Sequence, residues 1–424
     1  MKRGIVLAII VLAMLRPANA RSEPRAAAAG SEDGSSFTLE AALAATRRGH
    51  PLLRAASSVV AAAHAYAFTS GHWTNPIVDA TWLQAVRRSS YDPSGVPSIG
   101  VTQFIEIAGA PRARRRSALA EAHATESDRE ALLRDLEWSV REAVIRLAAE
   151  HERRRIQEDA LADLERAEGI VLRRVDAGRA PRYDASRIAI AVEQVRADAA
   201  EAAAAIARTR GDLEVAVGPS ARELNGVPRY DLAEPPASSS LELAELEAAR
   251  RADVVAARRR AEAAGEDVAV AKRSVAPGIG VRLGAGYGQA PGQADVSVGV
   301  VVPLPVLERG GGSIVAARAV AEERRARADA LESSVVQRVR SAHAELSIRV
   351  AAFTKYREHV RQLDERLRSE AEAGYRDAKL SVLELVDALR SLRDARLRAV
   401  DLAEAAHLAK TALGRAVGGD ARER

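Results

Sequence analysis

The chain has 424 residues, 47% of them hydrophobic, 29% charged and only 3% aromatic, and it contains no cysteine. That excludes disulfides, thiolate metal sites and a lipidated N-terminal Cys, while Arg and Glu interleave along the chain instead of forming the basic stripe of a nucleic-acid binder. The formal net charge of +5 falls to about +2 once Lys2, Arg3 and Arg16 are set aside, leaving 60 basic residues against 58 acidic ones.

Those three cations flank an apolar run, Gly4 to Leu15, followed by Ala18-Asn19-Ala20, so residues 1–20 read as a cleavable secretory signal. No later run approaches the ~18 apolar residues of a membrane helix. Residues 21–36 are small, charged and Gly/Ser-containing and read as a disordered lead. From Phe37 a helix is expected, capped by Thr38 or Ser36, running through Leu39, Leu43, Leu52, Leu53, Val59 and Val60 to about Tyr66, with an interruption at Gly49 to Pro51.

The apolar period then changes to two. Strands are expected at about 77–86 and 97–107, joined by the turn-rich stretch from Arg88 to Gly95. Trp73, Trp82, Tyr91 and Phe104 stand in or beside them, either as interfacial aromatics or as ordinary strand formers. From Pro111 to about Ala177 only Gly169 disturbs a helical pattern, and Leu133, Leu136, Val140, Ala143 and Leu147 keep the alternating three and four of a coiled-coil seam. The AGRAP stretch at 177–181 stops that helix; another runs from about Asp184 to Val217, ended by Gly218-Pro219, and a Pro/Ser-rich linker fills 219–240.

The plan then repeats. A helix over Leu241 to Lys272, strands at about 278–287 and 295–304, a long helix from Ser313 to Gly374, a turn at Asp377 to Leu380 and a helix from Ser381 to Val417 follow in the same order. Leu213, Ala216, Val217 and Gly218 match Leu413, Ala416, Val417 and Gly418 at a shift of 200 residues. The expected division is therefore a first repeat over 37–218, the linker, a second repeat over 241–418 and a tail over 419–424. The fold class is mainly α with a small β part.

In the second strand pair Ile279, Val281, Leu283, Ala285 and Tyr287, then Val296, Val298, Val300, Val302 and Leu304, alternate with small or polar residues. Each strand has the roughly 9–11 residues that a tilted strand needs to cross a bilayer; a hairpin of a soluble sandwich has the same pattern. Four strands cannot close a barrel, and an open edge cannot be left in lipid, so several chains must share one. Short helices of about half the long ones' length should stack end to end beside them, and the sequence reading pairs 184–217 with 241–272 and 381–417 with 38–66.

The FTLEAAL opening at 37–43, GVTQFIEIAGAPRARR at 100–115, VVPLPVLERGGG at 301–312 and LSVLELVDA at 380–388 resemble the TolC family of bacterial outer-membrane efflux channels, and the two strand-to-helix junctions most resemble its cobalt-zinc-cadmium efflux branch. The resemblance implies a homotrimer with a shared 12-stranded transmembrane β-barrel continued by an α-helical tunnel. It also implies a periplasmic adaptor protein as partner, an inner-membrane pump of the resistance-nodulation-division type, a barrel embedded in outer-membrane lipid, and heavy-metal cations among the possible substrates. Its narrow entrance carries an acidic pair, which matches Glu384 and Asp387 here; the first-repeat equivalents are Asp184 and Arg187, so Arg187 is the candidate cation of a latch. The turns that would dock the adaptor carry Gly178 and Arg179, and Ala378 and Lys379, with Ala378 standing where the family usually has Gly.

No enzyme is expected. Gly310-Gly311-Gly312 precedes a helix but lacks the Lys-Ser/Thr of a phosphate loop. The eight His are scattered, with no pair at metal-ligand spacing on one helix, so neither a metal site nor a cofactor is implied. The other reading is a periplasmic coiled-coil adaptor or scaffold without a barrel, which should carry more short strands than two hairpins supply.

Overall fold

The computed structural model describes residues 36–83, 86–87, 90–91, 96–237, 240–287, 293–377 and 379–419. The signal peptide, the lead up to residue 35 and the tail from residue 420 lie outside them. A short strand, β1 (Ser36–Thr38), leads into α1 (Leu39–Gly49), whose N-cap Thr38 accepts the Ala41 N–H at 3.3 Å. His50 is extended and breaks the helix. Pro51, whose missing N–H is no loss in a first turn, restarts it as α2 (Pro51–Ser70).

Strands β2 (Ile77–Leu83) and β5 (Val96–Ile105) flank a two-residue pair, β3 (Val86–Arg87) and β4 (Ser90–Tyr91). Gly109 at φ +76° turns the chain into α3 (Ala110–Asp176), and α4 (Arg182–Val217) returns antiparallel. A 3-10 turn at Pro219–Glu223 and β6 (Val227–Arg229), which pairs parallel with β1, carry the linker. The second repeat is α5 (Leu241–Ala248), α6 (Ala252–Arg273), β7 (Ile279–Tyr287), β8 (Ala294–Val301), α7 (Gly311–Arg376) and α8 (Val382–Val417). Strand β8 stops short of the expected Leu304, since Pro303 and Pro305 have no N–H for a ladder. The expected single helix over 241–272 is broken at Arg251, which is extended (φ −54°, ψ 140°).

The four long strands form one antiparallel sheet in the order β2-β5-β7-β8. Among the described residues the outer edges of β2 and β8 have no partner. Beneath the sheet the helices keep the same order: α2, α3, α6 and α7 lie side by side in the half next to the sheet, and α4, α3, α8 and α7 in the distal half. The distal core joins all four, with Leu164 and Val171 of α3, Ile188 and Val195 of α4, Tyr375 of α7 and Leu385 of α8 buried together.

The end-to-end stacking differs from the sequence reading and needs correction. A Cβ placed on Gly218, at the end of α4, would lie 3.1 Å from His50 Cδ2 and 3.4 Å from Pro51 Cδ, and one on Gly418, at the end of α8, would lie 2.6 Å from Arg251 Cγ. The pairs are thus α4 with α2 and α8 with α6, each within one repeat. Helix lengths alone fit either pairing, because α2 and α6 differ by two residues. The linker decides it by crossing the waist of the molecule to start α5 and α6 beside the other hairpin, where Tyr230 packs its ring against His407 of α8 and their Oη and Nδ1 lie 3.0 Å apart.

Candidate functional site

Cross-strand register sorts the sheet into two faces, because residues directly opposite each other point the same way. The rows Val78–Val101–Leu283–Val298 and Ala80–Ile99–Ala285–Val296 are apolar throughout, and Val296 and Val298 stand 80% and 74% exposed. The rows between them, Asp79–Gly100–Gly284–Ser297 and Thr81–Ser98–Gly286–Asp295, are small or polar. On this second face the Arg282 guanidinium reaches across β5 to the Asp79 carboxylate. The pair passes over Gly100, where a Cβ would lie 2.9 Å from Asp79 Oδ1 and 3.0 Å from Arg282 Nε and would push the two side chains aside. The chain therefore presents one face suited to hydrocarbon and one suited to water.

At the other end of the molecule the two hairpin turns lie together. Gly178 (φ +68°) closes the first, its N–H donating to Val175 O at 2.9 Å and that of Arg179 to Arg174 O at 2.7 Å. In the second, the Lys379 N–H donates to Gly374 O at 2.8 Å, the same spacing back along the chain, and Lys379 Nζ pairs with Asp377 at 3.3 Å. Ala378 lies outside the described residues. The Arg174 guanidinium donates to Tyr375 O and lies 4.7 Å from the centre of that ring, tying the two turns together.

Glu384 occupies the third position of α8 and completes a capping box: its carboxylate accepts the Ser381 N–H at 2.7 Å and the Ser381 hydroxyl at 2.8 Å. These bonds, the backbone one first, hold its pKa below the ordinary carboxylate value. Asp387 follows one turn later, exposed on the side of α8 away from the buried Val382, Leu385, Val386 and Leu389. Arg187 is half-buried on α4 and makes no ion pair within the chain among the described residues, so the latch to Glu384 or Asp387 is not closed inside one subunit.

Two clusters were hidden from the sequence. His64 of α2 and His123 of α3 both address Glu126, His64 Nε2 at 2.7 Å from one carboxylate oxygen and His123 Nδ1 at 3.0 Å from the other, and these contacts, His123 first, lower the Glu126 pKa. The i, i+3 spacing of His123 and Glu126 was the only trace of it in the sequence. Arg282 and Asp79 lie 203 positions apart and left none. Among the described residues no group of three or more His, Asp or Glu is placed to hold a metal ion, and no helix is long and apolar enough to cross a membrane.

A two-faced sheet with open edges, continued by paired long helices to a remote tip, defines one segment of a channel wall. The chain belongs to the outer membrane efflux protein family, whose sequence model matches residues 42–219 and 243–419, and it has that family's TolC-like tunnel fold. It is accordingly an outer-membrane transport duct with a large periplasmic helical part, and neither an enzyme nor a soluble scaffold.

Solved structures share the fold at low sequence identity. VceC of Vibrio cholerae is 20% identical over 90% of this chain and 96% of that one, with a TM-score of 0.76. The CmeC outer membrane channel of Campylobacter jejuni is 14% identical over 91% and 87%, with a TM-score of 0.74. The MtrE outer membrane channel of Neisseria gonorrhoeae, in its open state, is 20% identical over 91% of each, with a TM-score of 0.71. No curated protein matches the sequence at a significant level.

Proposed function

We propose that this channel is the exit duct of a tripartite efflux system, a homotrimer that receives substrate from a periplasmic adaptor and an inner-membrane pump of the resistance-nodulation-division type. The observation that carries it is the sheet. Its apolar face needs lipid, its edges need partners, and three copies supply the 12 strands that the family resemblance implies. In this arrangement the rows with Asp79, Arg282 and Ser297 line the lumen, and Val78, Val101, Leu283 and Val298 meet lipid. The edge helices α2 and α4 of one copy lie against α7 of the next, which accounts for bare apolar side chains such as Val59 and Ile190 on one edge and Ile348 and Leu363 on the other.

The same reading makes Gly178, Arg179, Ala378 and Lys379 the adaptor-docking tips and Glu384, Asp387 and Arg187 the pore gate. Three copies bring six carboxylates round the axis, a ring that attracts cations and repels anions, and heavy-metal cations are the cargo this ring and the branch resemblance favour. Arg187 closes the gate between neighbouring subunits, since among the described residues it has no acidic partner in its own.

Planar-bilayer recording of the purified trimer tests the proposal. The wild type is expected to conduct with cation preference, and Glu384→Gln with Asp387→Asn to raise resting conductance and lower that preference. A protein that forms no pore refutes the duct. A pore whose conductance and selectivity are unchanged in the double variant refutes the gate.

A further inference from the structure

Glycines strip the polar face of the sheet bare around Arg282. On that face β7 carries Gly280, Arg282, Gly284 and Gly286, β8 sets Gly299 directly opposite Arg282, and β5 sets Gly100 opposite Gly284. A Cβ on Gly299 would meet nothing within 4 Å, so the space on the β8 side of Arg282 is open. The side chain does not use it. Its guanidinium lies the other way, flat over the backbone of β5, with Nε and Nη2 each 3.0 Å from where a Gly100 Cβ would stand, and it reaches the Asp79 carboxylate two strands away.

On a lumen wall this placement has a consequence. A free arginine there is both a moving obstruction and a fixed positive charge, and walls of low dielectric focus the field of such a charge into the passage. Held against Asp79, Arg282 is neither. Three-fold symmetry repeats the pair at one height around the axis, and the opposite charges of each contact pair cancel over the ~8 Å within which physiological salt screens a single charge. The remaining charged residue on this face of the four strands, Asp295, stands two rows away.

We infer that Asp79 tethers Arg282 so that the three pairs form a charge-neutral collar, which leaves the membrane part of the duct without a preference between cations and anions. The inference rests on the trimeric arrangement proposed above, in which this face lines the lumen. Both residues set selectivity by cancelling each other: without Asp79 the barrel favours anions, and without Arg282 it favours cations.

The local potential can be read through the mouth of the barrel, so a closed periplasmic end does not mask it. The chain has no native cysteine, and Gly299→Cys places a thiol in the open space opposite Arg282. In purified trimers held in lipid nanodiscs, its modification rates by a cationic and an anionic methanethiosulfonate of similar size are compared, each normalised to a free thiol in solution. With the pair intact, the ratio of the two rates is expected to stay constant from about 0.15 M to about 1 M salt. Asp79→Asn is expected to shift it towards the anionic reagent, Arg282→Gln towards the cationic one, and both together to return it to the starting value. A bond that merely braced the sheet would give no such opposite shifts. Single variants that shift the ratio in one direction or not at all overturn the collar, as does a salt-dependent ratio with the pair intact, which needs no variant at 79 or 282. A thiol at 299 that reacts with a lipid-soluble maleimide but with neither charged reagent overturns the lumen assignment itself.

Discussion

Where α4 meets α2, the last turn closes on Gly218 (φ +81°) beneath His50; where α8 meets α6, it closes on Gly418 (φ +78°) beneath Arg251. At the first junction the His50 ring accepts the Leu52 N–H through Nδ1 at 3.3 Å, so the imidazole serves as a neutral acceptor for a free donor of α2. Burial lowers its pKa below 6.5. At the second, Arg251 donates to the carbonyls of Arg415 and Ala416 at 2.9 and 2.7 Å and to the Asp253 carboxylate at 2.9 and 2.7 Å, satisfying the C-terminus of α8 with a permanent cation. Asp253 is half-buried, which pushes its pKa up, but the bonds from Arg251 outweigh this and hold it low. The two stacks share a positive-φ glycine at the helix end but differ in its ψ, −160° at Gly218 and 16° at Gly418, and in the capping group, a titratable imidazole at one and a permanent cation at the other.

The largest expected difference follows from what each side chain leaves behind. Arg251→Leu strands two carbonyls and a carboxylate and is expected to cost about 2–3 kcal/mol, whereas His50→Leu removes one capping acceptor and should cost about 1 kcal/mol. Thermal unfolding followed by helical ellipticity measures both, and Arg251→Lys should recover only part of the loss, since an ammonium cannot span the same acceptors. Equal losses at the two junctions would break the comparison.

A pH titration sharpens it further. The folded pKa of His50 is lowered, so its contribution is fully present above the unfolded value of 6.5 and is lost as pH falls from there through the folded value. The same sign holds for His407, which burial also lowers and which faces Tyr230, Arg141 and Asp231 at the waist. Exchange of the Leu52 and Leu53 amides is therefore expected to accelerate relative to Val254 and Val255 as pH drops from 7.5 to 5.5. His50→Asn keeps a capping acceptor without a titrating ring and should flatten that response.

Much of this was legible in the sequence. Alternation over about 278–287 and 295–304 identified the strands and their two faces, though the second ends at Val301, and Gly178, Gly218 and Gly418 marked helix ends because positive φ leaves little choice of residue. The break before α6 was not legible, since Arg250 and Arg251 carry no helix-stopping chemistry and the bend is fixed by contact with the end of α8, far away in sequence. The stacking partners were missed for a similar reason: lengths fit both pairings, and only the path of the linker separates them. The proposed gate residues rest on position in the duplication, and the capping role of Glu384, written in Ser381-x-x-Glu384 as a helix-start signature, was passed over for its charge.

The smallest expected effects lie at the tips, where the repeats differ in the same sense. Helix α8 starts with the Ser381–Glu384 box, whereas α4 starts at Pro181 with no side-chain cap, although Asp184 stands at the matching third position. Ser381→Ala is expected to fray the second tip at a cost of about 1 kcal/mol, and Pro181→Ser to firm the first by a few tenths. At the second tip Glu384 has a lowered folded pKa, so its support is present above 4.5 and is lost as pH falls through the folded value. Glutamine also serves at the third position of a capping box. Glu384→Gln should therefore leave amide exchange in the first turn of α8 nearly unchanged at pH 7 and remove its acid sensitivity, which makes it the substitution that separates charge at the gate from order at the tip. Rapid exchange in that turn at pH 7 would mean that the carboxylate charge itself holds the helix start, and any change in conductance would then report fraying rather than gating.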